Sequence, residues 1–245
     1  MNKLESPFRT RAGHLYYFNW FLDVEATPAV IQDIEQALNR KEEVVILSCD
    51  GALKTCWKNP LGRSKTCARC RFWKRGAISR FEGRVVHITV DQALGGKEQL
   101  LKAMISRMEY ESIDDIQNMN FKGAWYGWGA FSTYVSLARN SNPEVTAEFR
   151  KIFDPLLAHG LRLAVAIEAV VAENNFNVIT IFNGRTADTR PVFDIARAKK
   201  IQVRSLELAR GEKRCFRGQE RVNALPQDVI AAAEDIERLW SESPK

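Results

Sequence analysis

Cys49, Cys56, Cys67 and Cys70 follow one another with the spacing C-x6-C-x10-C-x2-C. Two thiolates from a C-x2-C turn can take one face of a tetrahedral ion, and two more from a flexible loop can complete it. Zinc is the first expectation for such an all-thiolate set and an iron–sulfur cluster the second, with unligated or disulfide-forming thiols as the remaining reading. The spacing is not a standard zinc-finger pattern. Ten basic residues and one acidic residue lie between Gly51 and Val85, so the same segment carries a strong positive charge. Localised positive charge suits phosphate groups of nucleic acid, lipid surfaces or phosphorylated small molecules, and it also suits a plain solvated face.

A second group of chemically capable residues lies in "FNGRTADTRPVFD", Phe182 to Asp194. An apolar strand runs into Asn183-Gly184-Arg185, and a helix opens soon after. Ligands of open parallel sheets sit beyond the carboxyl ends of the strands. Gly184 permits a tight backbone turn, and Arg185 and Arg190 can hold a phosphate or sugar hydroxyls. Read without a ligand, the same residues make an Asn-Gly turn with surface arginines. Glu207 stands at the end of the last expected strand. Asp23 and Glu25 follow the first strand in the same way, where an α/β enzyme keeps a general base and where helix caps also occur. "GAWYGWGAFSTYVSLAR" offers aromatic faces for stacking on sugars or bases, although at helical spacing such a stripe more often packs in a core. Cys215 stands apart from the other thiols, and His14, His87 and His159 are scattered. No Walker loop, nucleophile elbow or HExxH motif is present in the sequence.

The elements that must position these residues alternate. "LYYFNWFL" reads as a buried strand, "TPAVIQDIEQALNR" as a helix started by Thr27 and Pro28, and "EVVILS" as a second strand. "RVVHITV" gives a third strand. Residues 112–174 read as helical almost throughout, broken near Asn140 to Pro143. "NVITIF", a helix opened by Pro191, and "IQVRSLEL" restore the alternation, and an amphipathic helix follows "ALPQD". The expected fold is α/β: a Rossmann-like, mostly parallel sheet with flanking helices, a helical insertion and a four-cysteine loop. One domain over residues 1–245 is expected, with the basic, cysteine-rich insertion at about 49–80. The longest apolar stretch, "LRLAVAIEAVVA", contains Arg162 and Glu168, and the amino terminus lacks a signal-type run. A cytoplasmic protein with reduced thiols follows from this reading.

The order "LSCDGALKTCWKNPLG…CARC", "GAFSTYVSLAR", "IFNGRTADTRPVFDIA", "LELARG" and "RVNALPQD" resembles the amino-terminal, acceptor-side half of bacterial GT-B-type glycosyltransferases of capsule and surface-polysaccharide assembly. The resemblance implies transfer of sugar from a nucleotide donor to a glycan or lipid-linked acceptor. It implies a donor-binding domain or subunit beyond Lys245, Asp23 or Glu25 as the base, and Asn183, Gly184, Arg185, Arg190 and Glu207 lining the cleft. The basic segment would then meet acceptor phosphates or the anionic inner face of the membrane. The chain has Gln227-Asp228 where that pattern usually has His before Asp. The alternative reading is a zinc-stabilised nucleic-acid-binding protein, although no recognition helix or RRM signature accompanies the cysteines.

Overall fold

The computed structural model describes residues 13–19, 26–210 and 216–226, and five further positions up to 237. Strand β1 (Gly13–Tyr17) leads through helix α1 (Ala26–Asn39) to β2 (Val44–Ser48), then through α2 (Ser64–Ser79) to β3 (Val86–Thr89). Five helices follow: α3 (Val90–Leu94), α4 (Glu98–Ser106), α5 (Ile113–Gln117), α6 (Tyr126–Ala138) and α7 (Ala147–Glu173). The chain then re-enters the sheet as β4 (Phe176–Phe182), α8 (Arg190–Ala198), β5 (Gln202–Arg210) and β6 (Phe216–Val222).

The strand order is β3-β2-β1-β4-β5-β6. The first five strands are parallel, and β6 closes the edge antiparallel to β5. The fold class is α/β with a mostly parallel, Rossmann-like sheet. The connection reverses direction between β1 and β4, and the ends of these two strands form the crevice such sheets offer to ligands.

Apolar residues alternate between the two faces because successive strand side chains point to opposite sides. Leu15, Tyr17, Val45 and Leu47 pack toward α6, α7 and α8, whereas Tyr16, Phe18, Val44 and Ile46 pack toward α1. Helix α7 is long and apolar enough to cross a membrane, but 72% of its apolar window is buried within the fold. Its two interior charges are both answered. Arg162 makes a bidentate pair with Glu98 at 2.7 and 2.9 Å, and Glu168 accepts from Lys122 at 2.7 Å.

The cysteine segment differs from the expected loop, since its second half is the sixteen-residue helix α2. Cys67, Cys70, Ala77 and Ile78 are half-buried and Lys74 is buried, so the inward side of α2 lacks the usual aliphatic stripe. Asn59 anchors the helix start. Its Oδ1 accepts from Arg63 N at 2.9 Å, while its Nδ2 donates to Arg63 O at 3.0 Å and to Cys67 Sγ at 3.2 Å. The final strand expected at 201–208 is followed by β6. The expected carboxyl-terminal helix falls mostly outside the described residues.

Candidate functional site at the carboxyl ends of the strands

The crevice beyond β1, β2 and β4 is closed by three pieces of chain: the turn after β4, the thiol segment after β2, and helix α7. The turn is set by Asn183, at φ 69°, and Gly184, at φ 87°. The positive φ of Gly184 favours glycine there, and a Cβ would also stand 2.6 Å from Leu225 Cδ2, which would have to shift. Asn183 Nδ2 donates to Glu207 Oε2 at 2.6 Å, and Asn183 Oδ1 accepts from Arg185 N at 3.3 Å. Arg185 then reaches α6, donating to Ser132 Oγ at 2.8 Å and Ser136 Oγ at 3.1 Å. Ala187 N donates to Thr133 Oγ1 at 2.8 Å. Gly129 lets α6 come this close, since a Cβ there would meet Arg190 Cβ at 2.9 Å.

This lacing directs Asp188 into the protein, where it is fully buried. Its Oδ1 accepts from Asn19 Nδ2 at 3.1 Å, and its Oδ2 accepts from Trp57 N at 2.9 Å. His159 on α7, also fully buried, places Nε2 at 3.5 Å from Asp188 Oδ1. The other ring nitrogen, Nδ1, lies 2.5 Å from Thr55 O. A carbonyl can only accept, so Nδ1 carries a proton there, and Nε2 is the nitrogen turned toward Asp188. Among the described residues that Nε2 has no hydrogen-bond partner, and neither does the buried hydroxyl of Tyr17. Burial first, and the Asp188 charge second, hold the Tyr17 phenol far above its ordinary pKa, so it remains a donor.

Cys49, Cys56, Cys67 and Cys70 all line one cavity of about 30 Å³, together with Asn19 and Thr55. All four are free thiols. Gly51 N donates to Cys49 Sγ at 3.3 Å, and Cys70 Sγ donates to Asn19 O at 3.8 Å. Burial pushes the Cys49 thiol up to about 11 and raises Cys56 further, so both are protonated near neutrality. Lys54, Lys58 and Arg71 border the same cavity. Buried Lys74 donates to Cys49 O at 3.0 Å, tying α2 to the end of β2.

Asn183, Gly184, Arg185 and Glu207 come together as one turn. Arg190 does not join them: its Nε donates to both oxygens of Asp194 at 2.8 Å, and Asp194 also accepts from Trp125 N. Asp23 and Glu25, the expected bases, lie outside the described residues, as does Cys215. The expected metal centre is corrected by the geometry. Among the described residues no three His, Cys, Asp or Glu side chains are grouped as ligands of an ion would be. Tyr17, His159 and Asp188 were missed. A histidine within "LLAHGLRLAVA" and an acid within the small-residue turn "TADT" were the available signals.

The sequence matches no known protein family and no curated protein. Among solved structures it is similar to the tyrosyl-tRNA synthetase of Leishmania major in complex with tyrosinol. That likeness has 11% identity and a TM-score of 0.45, and covers 96% of this chain and 34% of the synthetase. For the Archaeoglobus fulgidus tyrosyl-tRNA synthetase complexed with L-tyrosine, identity is 12%, the TM-score 0.45, and coverage 77% and 50%. For AlbC, a cyclodipeptide synthase from Streptomyces noursei, identity is 14%, the TM-score 0.43, and coverage 74% and 86%. The chain thus spans about a third and a half of the two synthetases. At these TM-scores the likenesses carry no argument about activity. They do correct the resemblance drawn from the sequence, because the similar structures are synthetases and cyclodipeptide synthases and not GT-B glycosyltransferases. The sugar-transfer reading falls with that resemblance. The zinc-stabilised nucleic-acid reading gains no support either.

Proposed function

We propose that this chain binds a hydroxyl-bearing small molecule at the carboxyl ends of β1, β2 and β4, and draws the proton from that hydroxyl. One observation carries the reading: the Tyr17 hydroxyl and His159 Nε2, both buried near Asp188, have no hydrogen-bond partner among the described residues. A buried polar group left unpaired costs about 1–3 kcal/mol. A fold that keeps two of them beside one carboxylate holds them for a group that arrives.

A hydroxyl satisfies both. Its oxygen accepts from Tyr17, and its proton passes to His159 Nε2, breaking the O–H bond and forming an N–H bond. The imidazolium that results faces Asp188, and the Tyr17 donor holds the developing alkoxide. The cavity of about 30 Å³ is lined by Asn19 and Thr55, the partners of Asp188 and His159, and not by Tyr17, His159 or Asp188 themselves. It admits one water-sized group, so the hydroxyl would pass beyond it while the body of the ligand rests on its rim. Lys54, Lys58 and Arg71 on that rim favour an anionic substituent, a carboxylate or a phosphate. Four free thiols around one cavity, with no disulfide among them, support a cytoplasmic location. A peripheral station at the inner membrane face belongs to the same proposal and rests on the charge of the thiol segment.

Thermal-shift titration with hydroxy acids and phosphorylated alcohols, each beside its deoxy counterpart, tests the reading. The hydroxylated members should stabilise the protein by about 2.7 kcal/mol at a hundredfold excess over Kd. Their deoxy counterparts should not, and Tyr17→Phe and His159→Gln should lose the response. An equal response in Tyr17→Phe overturns the assignment.

A further inference from the structure

Helix α2 turns to solvent a face that the fold does not use. Phe72 is 74% exposed and Trp73 53%, and the two rings meet edge to face at 6.5 Å. Lys65, Arg69 and Arg75 are exposed around them, and α2 contains no acidic residue. Among the described residues none of these three cations pairs with a carboxylate. Arg80, just past the helix, is by contrast engaged by Glu35 at 2.6 Å. Upstream in the same basic segment, Leu61 is 66% exposed and Arg63 is exposed beside it.

Large apolar side chains held in water among unpaired cations mark an interaction surface. We infer that this face of α2 docks the protein on an anionic lipid bilayer. Aromatic rings suit the headgroup boundary, and arginine and lysine suit the negative surface potential above it. Two further observations favour a bilayer over other occupants. Leu61 is aliphatic and cannot stack on a nucleobase, whereas it can enter an acyl boundary. A second copy of this chain would bring the same cations face to face, which like-charge repulsion opposes. The inference rests on the peripheral membrane station proposed above and assigns its surface; it does not depend on the acid–base site, which lies on the inward side of the thiol segment.

Co-sedimentation of the full chain with vesicles tests it. Binding should occur with phosphatidylglycerol-containing vesicles and not with pure phosphatidylcholine, and should weaken as salt is raised. Neutralising Arg69 or Arg75 with glutamine should lower partitioning about fivefold each. The double variant Phe72→Ser/Trp73→Ser should lose binding while keeping the thermal stability of the parent, because both side chains are exposed. Equal binding to both vesicles, or to neither, overturns the inference. So does binding of a short single-stranded oligonucleotide that depends on Phe72 and Arg69 while the vesicles are ignored.

Discussion

The two ends of the sheet hold two polar clusters of similar make-up, and only one of them is closed. At the amino end, His14 Nδ1 donates to Glu42 Oε2 at 2.9 Å while Thr180 Oγ1 meets His14 Nε2 at 2.7 Å. Beside them Arg204 grips Asp33 at 3.0 and 3.1 Å and Glu220 at 2.6 and 2.8 Å, and Tyr16 donates to Asp33 Oδ2 at 2.7 Å. A cavity of about 680 Å³ opens there, the larger of the two. Hydroxyl, imidazole and carboxylate stand in the order of a nucleophile relay. Yet Thr180 is buried within β4 and does not line the cavity. Each of these side chains already has its partner. At the carboxyl end the cavity is far smaller and is not lined by Tyr17, His159 or Asp188 either, but two buried atoms beside it lack a hydrogen-bond partner among the described residues. Size points to the amino end and chemistry to the carboxyl end; unsatisfied groups are the better guide, because a satisfied network is already spent on stability.

The comparison is sharpest where it can be broken by one substitution. Asp33→Ala removes the carboxylate shared by Arg204 and Tyr16 and strands a largely buried guanidinium. It should cost about 3 kcal/mol in urea unfolding, the figure for breaking a mostly buried pair with some solvent left at the edge. A loss under 1 kcal/mol would mean that Glu220 alone suffices, and that the amino-end network is less closed than its geometry.

Tyr16 and Tyr17 are chain neighbours on opposite faces of β1, so they give a matched pair. Tyr16→Phe forfeits a bond to Asp33 and should destabilise by about 1–1.5 kcal/mol. Tyr17→Phe deletes a hydroxyl that has no hydrogen-bond partner among the described residues. Without ligand it should be neutral within about 0.5 kcal/mol or slightly stabilising, since it removes an unpaid desolvation. Equal losses at both positions would show that Tyr17 is satisfied in the resting protein, and the case for a waiting site would fail.

Much of the fold was legible because burial on both faces of a parallel sheet writes near-continuous apolar runs. "EVVILS" and "NVITIF" became β2 and β4, and Pro191 opened α8 as its fixed backbone angle suits. Helix α2 was not legible, since Cys67, Cys70 and Lys74 stand where an apolar stripe would be. Nor was β6, whose "FRGQERV" is too polar to announce an edge strand. The turn Asn183–Arg185 was visible through its glycine, but its arginines drew attention from the residue between them. Asp188 takes its meaning from Asn19 and Trp57, 169 and 131 residues away, and no local pattern carries such a meeting.

Acid should also separate the two ends. Burial lowers the His14 pKa below its ordinary 6.5, outweighing the Glu42 hydrogen bond that raises it. The unfolded chain therefore takes up this proton first as pH falls. His14 contributes nothing unfavourable above about 6.5, and stability declines as pH drops below that value. Glu42 enters in a lower window. Hydrogen bonds from Arg40 and His14 hold its carboxyl below 4.5 despite partial burial, so its contribution is present above 4.5 and is lost as pH falls further. Stability curves measured from pH 8 to 4 should show the first decline in the parent and not in His14→Leu, compared by slope because that variant also loses two hydrogen bonds.

The smallest effect concerns the thiols. Cys49 and Cys56 are held as thiols by burial, and the thiolate is the reactive form. At pH 8, iodoacetamide should alkylate them far more slowly than it alkylates the same residues in unfolded chain. If the carboxyl-end cavity is the ligand's entry, adding a stabilising hydroxy acid should slow Cys56 further, because Cys56 and the Trp57 amide that holds Asp188 share one turn. The amino-end substitution Asp33→Ala should leave that ligand protection in place wherever the protein remains folded. Mass spectrometry of the four alkylated peptides reads both results together. Protection that follows Asp33 instead of Asp188 would join the two ends of the sheet into one site, and the distinction between a closed network and an open one would no longer hold.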